Sequence, residues 1–522
     1  MLVKRYSILL SVFCTLHSAN AGELANRWVY LGDSLLAKDC VERVSNVVAT
    51  AHAGGMNGVV LGCGVEFCRC WGKDRHDRLA RIKAACDAMG MEIVPTMWAL
   101  GHGALRNYDL NIIEGIAVEG VPYRVEGTNA VFDAALAPVM EIGVKSCYFQ
   151  RTNSYCRLIR KVKVKPHRRY RYAFEFRTEG LAGDKPFRVI AVDASRSYCE
   201  KESCKVDFSP TQGWTPCEMS FCSAESDSYC LYIGFMSGWK SGTMEVRNIT
   251  LSEIGPGQVL HRPGAPKSLR NAVTGQTYEE GRDYVAPKLG FSVTSHNMPP
   301  IALSLPAGSR VKPGDTLVFD SYTPAIVNGN QVSTCLSEPS LYGYLEDSAR
   351  RTEEVLHPKK WHISMDEFRN GGTCAACRAR GMTMGQIYAD AVTKAFNIIQ
   401  KVHPGAEVYI WGDMLDPNHN GVKEYYNCAT SFEGAWKCVP RELIVCCWYG
   451  NKCETSMKFF SERGFRTFAA AYYDEKPPFP RSRRWLGAVR STHGAVGIMY
   501  TTWRNAFDDL PAFCTMLKEE WR

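Results

Sequence analysis

The sequence predicts a (β/α)8 barrel interrupted by an all-β insertion. Three observations carry that reading. Eight short apolar runs rich in Val, Ile, Tyr and Trp recur along the chain, helix-patterned segments lie between them, and in a long middle section the helical pattern gives way to short alternating segments.

The chain of 522 residues opens with Lys4 and Arg5, a largely apolar stretch from Tyr6 to Leu16, and Ala19-Asn20-Ala21, the layout of a secretory leader. The apolar stretch is too short for the roughly 20 residues of a membrane span. Phe13 before Cys14 is too large for a lipoprotein signal. A soluble, secreted or periplasmic chain without membrane insertion is therefore expected. A net charge of +8 over this length, with basic blocks only at 161–171 and 481–484, argues for solvated faces rather than a nucleic-acid surface.

The first three runs are Trp28 to Leu31, Gly58 to Leu61 and Glu92 to Met97. Between the last two, Leu79, Ile82, Ala85 and Met89 recur at helical spacing, and Gly90 closes the segment as a C-terminal cap would. The pattern resumes at Trp361 to Met365, Glu407 to Trp411, Leu443 to Trp448, Phe465 to Tyr472 and Gly497 to Trp503. An open doubly wound sheet is the alternative, but no Gly-x-Gly-x-x-Gly follows the first run. A ninth run, Thr316 to Phe319, exceeds the count and is assigned to the segment leading back into the barrel. The chain thus divides into a leader at 1–21, a first barrel part at 22–130, an inserted β-sandwich at 131–254, a connector at 255–360 and a second barrel part at 361–522.

Of 22 cysteines, Cys14 belongs to the leader, and the odd remainder leaves at least one thiol or metal ligand. In an exported chain disulfides are the expected state. The alternative is a zinc site from Cys68-Arg69-Cys70 and Cys374-Ala375-Ala376-Cys377. The twelve histidines form no His-x-x-x-His or His-Glu-x-x-His spacing, so neither a catalytic metal nor a cofactor is expected.

Chemistry concentrates at His362-Ile363-Ser364-Met365-Asp366-Glu367, an apolar strand ending in two acids. Cleaving a glycosidic bond needs a proton donor at the leaving oxygen and a second group that stabilises positive charge on the sugar, and carboxyls supply both. Later runs end in Trp411-Gly412-Asp413, Trp448-Tyr449, Tyr473-Asp474 and Trp503-Arg504. Large aromatics at successive strand ends would wall one pocket beside the acids and suit the apolar face of a sugar ring. The competing reading is that Glu367 pairs with Arg369 and does no chemistry.

Over Arg27 to Trp98 and His362 to Trp503 the chain resembles the catalytic barrel of family 20 glycoside hydrolases, the β-N-acetylhexosaminidases. The resemblance implies Glu367 as general acid/base and Asp366 as the residue that orients the substrate's acetamide, whose oxygen is the nucleophile. It implies His362, Trp411, Asp413, Trp448, Tyr473, Asp474 and Trp503 as substrate contacts. Gly101-His102-Gly103 matches the family's Gly-His turn, while Ser364-Met365 stands in place of Gly-Gly and Arg504 where a Glu tends to follow. Within the insertion, Lys165-Pro166 before Tyr170-Arg171-Tyr172, Gly213-Trp214-Thr215 and the closing segment Met244 to Ile254 resemble jelly-roll carbohydrate-binding modules, with Trp214, Trp239 and Tyr198 as candidate sugar platforms. The expected function is glycoside hydrolysis of a glycan, with a catalytically silent glycan-binding barrel as the alternative.

Overall fold

The computed structural model describes residues 24–521 except 103–109, 138, 153, 195–199, 224–225, 263–264, 266, 289–297, 327–330 and 424. Residues 1–21, expected to be a leader, Tyr198 and Gly103 lie outside the described residues.

Eight strands form one parallel sheet: β1 Asn26–Gly32, β2 Gly58–Gly62, β3 Glu92–Pro95, β4 Lys360–His362, β5 Glu407–Trp411, β6 Ile444–Cys447, β7 Arg466–Ala470 and β8 Ala495–Thr501. Their order is β4-β5-β6-β7-β8-β1-β2-β3. The two ends of that row meet at a parallel bridge between Thr96 and His362, where the Met97 amide donates to the His362 carbonyl at 2.9 Å. The barrel is therefore nearly closed, and each expected run supplies one of its strands. The helical segment expected through Leu79, Ile82, Ala85 and Met89 is the helix Lys73–Ala88, with Met89 at its C-cap and Gly90 following at φ +64°. The helix Met384–Val402 begins with a capping box between Thr383 and Gln386 and buries Ile387, Ala391, Ala395 and Ile398 on one stripe. The alternation is incomplete after β5. Among the described residues of 412–443 there is no α-helix, only the 3₁₀ turn Ala435–Cys438.

Inward-facing residues fill the barrel. The Trp28 ring lies 4.6 Å from Phe468 and 4.8 Å from Tyr409, packed with Val60, Val94, Ile444 and Met499. Side chains on a strand alternate faces. Tyr30 and Trp411, two residues beyond Trp28 and Tyr409, therefore face the same interior closer to the C-terminal mouth.

Between β3 and β4 the chain forms three antiparallel sheets. A five-stranded sheet (Tyr148–Arg151, Cys156–Lys163, Phe187–Asp193, Glu200–Lys205, Ser228–Phe235) and a four-stranded sheet (Val139–Ile142, Arg169–Gly183, Gln212–Cys222, Trp239–Ile254) share one core. In it Phe174 and Phe176 from the latter meet Phe187 and Ile233 from the former. The third sheet corrects the expected boundaries. Gly115–Glu126, inside the stretch 22–130 assigned to the barrel, pairs antiparallel with Thr316–Pro324, from Arg124 opposite Thr316 to Gly115 opposite Pro324. The ninth run is thus an internal strand of a six-stranded sheet that also takes in Asn129–Phe132, Ser268–Asn271, Thr277–Tyr278 and Leu303–Ser304. Alternation marks each of these as a strand but cannot name a partner some 190 residues away.

Of the candidate sugar platforms, Trp214 and Trp239 are half-buried, each with an arginine near its ring. Arg247 and Arg177 sit 4.2 and 5.1 Å from the Trp214 ring centroid, and Arg151 sits 4.4 Å from that of Trp239.

Val139 pairs with Ser252, so the ends of segment 139–254 lie side by side and a short linker can replace it. Excising 139–254 is expected to leave a folded barrel with a single cooperative thermal transition by circular dichroism. Aggregation of the shortened chain would mean that the segment completes the core of the remainder.

The expected disulfides are not found among the described residues, whose cysteines are all unlinked. Cys40, Cys86, Cys446 and Cys514 instead pack as small apolar groups in the core.

Candidate active site

Strand geometry ends at His362 because the next residues leave the β region: φ is +45° at Ser364, +58° at Met365 and +47° at Glu367. A residue bearing a Cβ pays about 1–2 kcal/mol for such a conformation, so the surroundings must hold it. The Ser364 amide donates to His362 Nδ1 at 3.2 Å, and the Met365 amide to the Trp98 carbonyl at 3.3 Å. The Trp411 amide donates to the Ser364 carbonyl at 3.2 Å, and the buried Tyr388 hydroxyl to the Met365 carbonyl at 2.8 Å. The Glu367 amide closes the turn on Asp413 Oδ2 at 3.1 Å. Ser364 and Met365 thus adopt the left-handed backbone that glycine would take more cheaply, a local strain of the kind that collects at functional sites.

The turn brings both acids to the mouth of the barrel. Asp366 acts electrostatically on Tyr30, His362 and Asp413, and Glu367 on Tyr473, Asp413 and Tyr425. Arg369 Nη2 lies 2.7 Å from Glu367 Oε2, so the pairing weighed from the sequence is present. Arg369 also bonds Gln331.

His362 is buried, and desolvation pulls its imidazole down to about 3 although Asp366 opposes the shift. The ring is neutral at any working pH. Nδ1 accepts from the Ser364 amide, which places the proton on Nε2, and the ring meets Trp411 edge-on at 4.5 Å.

Asp413 is also buried. Burial, then Asp366, push its carboxyl up to about 7, against the Asn420 amide that donates to Oδ2 at 2.9 Å. Between pH about 4, where an unfolded Asp ionises, and about 7, the folded chain holds a proton that the unfolded chain has lost. The contribution of this group to stability is complete below that window and falls as pH rises through it. Asp413→Asn removes the slope while keeping an acceptor for the Glu367 amide. The melting temperature of the variant is expected to gain on the parent between pH 4.5 and 7.5; an equal difference at both pH values would refute the buried protonated carboxyl.

The aromatics form a continuous wall. Tyr30, Trp411 and Trp503 lie 5.4 to 6.0 Å apart, Trp503 meets Tyr473 at 6.1 Å, and Tyr473 stacks with Trp448 at 6.3 Å. Tyr473 and Trp503 are exposed, at 38% and 43%, whereas Trp411 is buried. His419 supports Trp448 from behind at 4.2 Å and stacks on Tyr449 at 4.6 Å. Asp474, itself at φ +54°, spends both oxygens on the loop after β8: Thr502 Oγ1 donates at 2.5 Å and the Trp503 amide at 3.2 Å.

The structure therefore gathers His362, Asp366, Glu367, Trp411, Asp413, Trp448, Tyr473, Asp474 and Trp503 around one mouth. It adds two residues missing from the sequence reading, Tyr30 and Glu66, and sets Gly101, noted there only as part of the Gly-His turn, against the acids. Tyr30 was signalled by its period-two relation to Trp28. Glu66, buried just past β2, accepts from the Trp98 amide and is pushed up to about 7 by desolvation; no pattern marks a loop acid that turns inward. Gly101 packs on the acid turn so closely that an added Cβ would lie 2.0 Å from the Asp366 carbonyl oxygen.

The zinc alternative is redrawn. Cys374 and Cys377 meet Cys335 and Glu114, while Cys68 lies beside Arg351 and Asp347 and Cys70 is exposed. No helix among the described residues is long and apolar enough to cross a membrane.

No protein-family model and no curated protein matches the chain. Among solved structures, a family 20 β-N-acetylglucosaminidase is 10% identical and has a TM-score of 0.37, covering 94% of this chain and 68% of its own. The β-N-acetylhexosaminidase of Bacteroides fragilis is 14% identical at a TM-score of 0.26, and the match spans 36% of this chain and about two fifths (41%) of that enzyme. A CBM4 structure is 11% identical at a TM-score of 0.17, over 28% of this chain and 81% of its own. The resemblance of this chain to family 20 glycoside hydrolases is thus a distant one, with a carbohydrate-binding module also among its structural neighbours.

Proposed function

We propose that the chain is an exported glycoside hydrolase that cleaves glycans at N-acetylhexosamine residues by substrate-assisted, retaining catalysis. The observation that supports this reading best is the strained turn after β4, which presents Asp366 and Glu367 to an aromatic-walled mouth where the fold places catalytic groups. Glu367 donates a proton to the leaving oxygen as the acetamide oxygen attacks the anomeric carbon, and then takes a proton from the water that opens the cyclic intermediate. Asp366 orients and polarises the acetamide. Tyr473 and Trp503 supply flat apolar walls for the ring, backed by the buried Trp411, and His362 and Asp413 hold the floor behind the acids.

In the same reading, residues 1–21 are a leader and 139–254 form a β-sandwich module inserted in the barrel. The names of the family 20 neighbours point to the same sugar.

The ion pair between Arg369 and Glu367 favours a second reading, a barrel that binds glycan without turnover. A panel of aryl glycosides separates the two. Release of the aryl group from β-N-acetylhexosaminides, and not from the matching glucosides, is the expected result. Hydrolysis of none, with retained binding of N-acetylated oligosaccharides, would leave the silent binder.

A further inference from the structure

We propose that Cys335, Cys374, Cys377 and Glu114 bind one zinc ion, which staples the loop carrying Asp366 and Glu367 to the segments where the chain leaves the barrel and returns to it. All four side chains are buried, and one ligand atom of each lies within 4.8 Å of the others. Cys335 Sγ is 3.4 Å from Cys374 Sγ and 3.7 Å from Cys377 Sγ, and Cys377 Sγ is 3.6 Å from Glu114 Oε2. Two thiolates bound to a tetrahedral zinc at about 2.3 Å lie roughly 3.8 Å apart. The side chains therefore need only small movements to enclose an ion.

The carboxylate is already aimed. Glu114 Oε1 accepts from the Cys374 amide at 2.6 Å and the Thr373 hydroxyl at 3.0 Å, which leaves Oε2 facing Cys377. Such outer bonds fix a ligand's orientation. Three thiolates and a carboxylate around a divalent cation leave the site anionic. The buried Arg262 guanidinium, whose charge acts on Cys335, Cys374 and Glu114, offsets part of that charge. Among the described residues its Nε and Nη2 find no hydrogen-bond partner, and its acidic neighbour Glu338 stands 4.0 Å away. A buried carboxylate among thiols is costly without a cation. A disulfide between two of the thiols would still leave the third thiol and the carboxyl buried together, whereas zinc uses all four groups. The thiols release their protons to solvent as the ion binds.

The location gives the site its role. The Glu114 amide donates to the Ser333 carbonyl at 2.7 Å, the Ala325 amide to the Glu114 carbonyl at 3.0 Å and the Cys335 amide to the Ile112 carbonyl at 2.8 Å. Glu114 and Cys335 therefore mark the neck of the insertion. Cys374 and Cys377 follow the acid pair on the β4 loop, at the helical turn Ala375–Arg378. Four protein ligands make this a closed structural site rather than a catalytic one.

Metal analysis of the full-length chain, purified without chelator, is expected to find about one equivalent of zinc. Cys335→Ser and Cys377→Ser should lose it, and Cys68→Ser should keep it. Exchange for cobalt in the parent should give thiolate-to-cobalt charge-transfer absorption, which decides the matter even if the serine variants fail to fold. A strong chelator should lower the melting temperature. A folded, reduced parent chain that takes up no metal when incubated with zinc would overturn the proposal, as would a linked peptide joining Cys335 to Cys374 or Cys377. None of these readouts depends on turnover, so they stand apart from the glycosidase reading.

Discussion

Glu367→Gln is expected to lower turnover of an aryl β-N-acetylhexosaminide by about 10² to 10⁴, the usual worth of a positioned general acid. The amide keeps the size of the side chain and can still meet Arg369, which lies 2.7 Å from Oε2 in the parent, so the pocket should survive. What disappears is the proton for the leaving oxygen. A substrate whose aglycone is a good leaving group needs less protonation and should be partly spared. Asp366→Asn should slow good and poor leaving groups alike, because its partner is the acetamide. Measuring both variants on a leaving-group series checks the two roles together. Uniform loss across the series for Glu367→Gln would contradict proton donation, and parent-like rates for both variants would move the chemistry away from this turn.

Gly101→Ala should reduce turnover by about 10²-fold, although residue 101 bears no chemical group. Its Cβ would fall 2.0 Å from the Asp366 carbonyl oxygen and 2.7 Å from both the carbonyl carbon and oxygen of Glu367. Those are backbone atoms of a turn tied down by His362, Trp98, Trp411 and Tyr388, so no side-chain rotation relieves the clash. The turn must shift, and a displacement near 1 Å at reacting groups costs on the order of 10²-fold. Overpacking of this kind typically destabilises by about 1–3 kcal/mol, so the barrel should remain folded. Circular dichroism and thermal melting beside the kinetic assay separate displacement of the acids from unfolding. An unchanged rate with an unchanged melting temperature would show that the contact between Gly101 and the acid turn is not rigid.

The barrel was legible in the sequence because its strands are short, buried on both faces and separated by segments of helical period. That signal is local, and it placed Trp28, Tyr409 and Trp503 on strands or at strand ends before any partner was known. The same logic located Asp366 and Glu367, since a strand that ends in acids among neighbours that end in aromatics needs only the fold to bring them together. What the turn does was not legible. Ser364, Met365 and Glu367 are ordinary side chains in sequence, and their left-handed backbone is imposed by bonds from Trp98, Trp411, Tyr388 and Asp413, which come from distant parts of the chain.

The sequence by itself determined the period of each element, the order of the barrel strands and the acid pair at one strand's end, because backbone geometry converts residue spacing directly into a buried face. The tertiary structure alone decided which cysteines meet, that Gly115–Glu126 pairs with Thr316–Pro324 rather than joining the barrel, that Glu66 and Tyr30 belong to the site, and that Gly101 packs on the acid turn. These are contacts between segments far apart in the chain. They follow from how loops are carried on a closed sheet, and no spacing within a single segment encodes them.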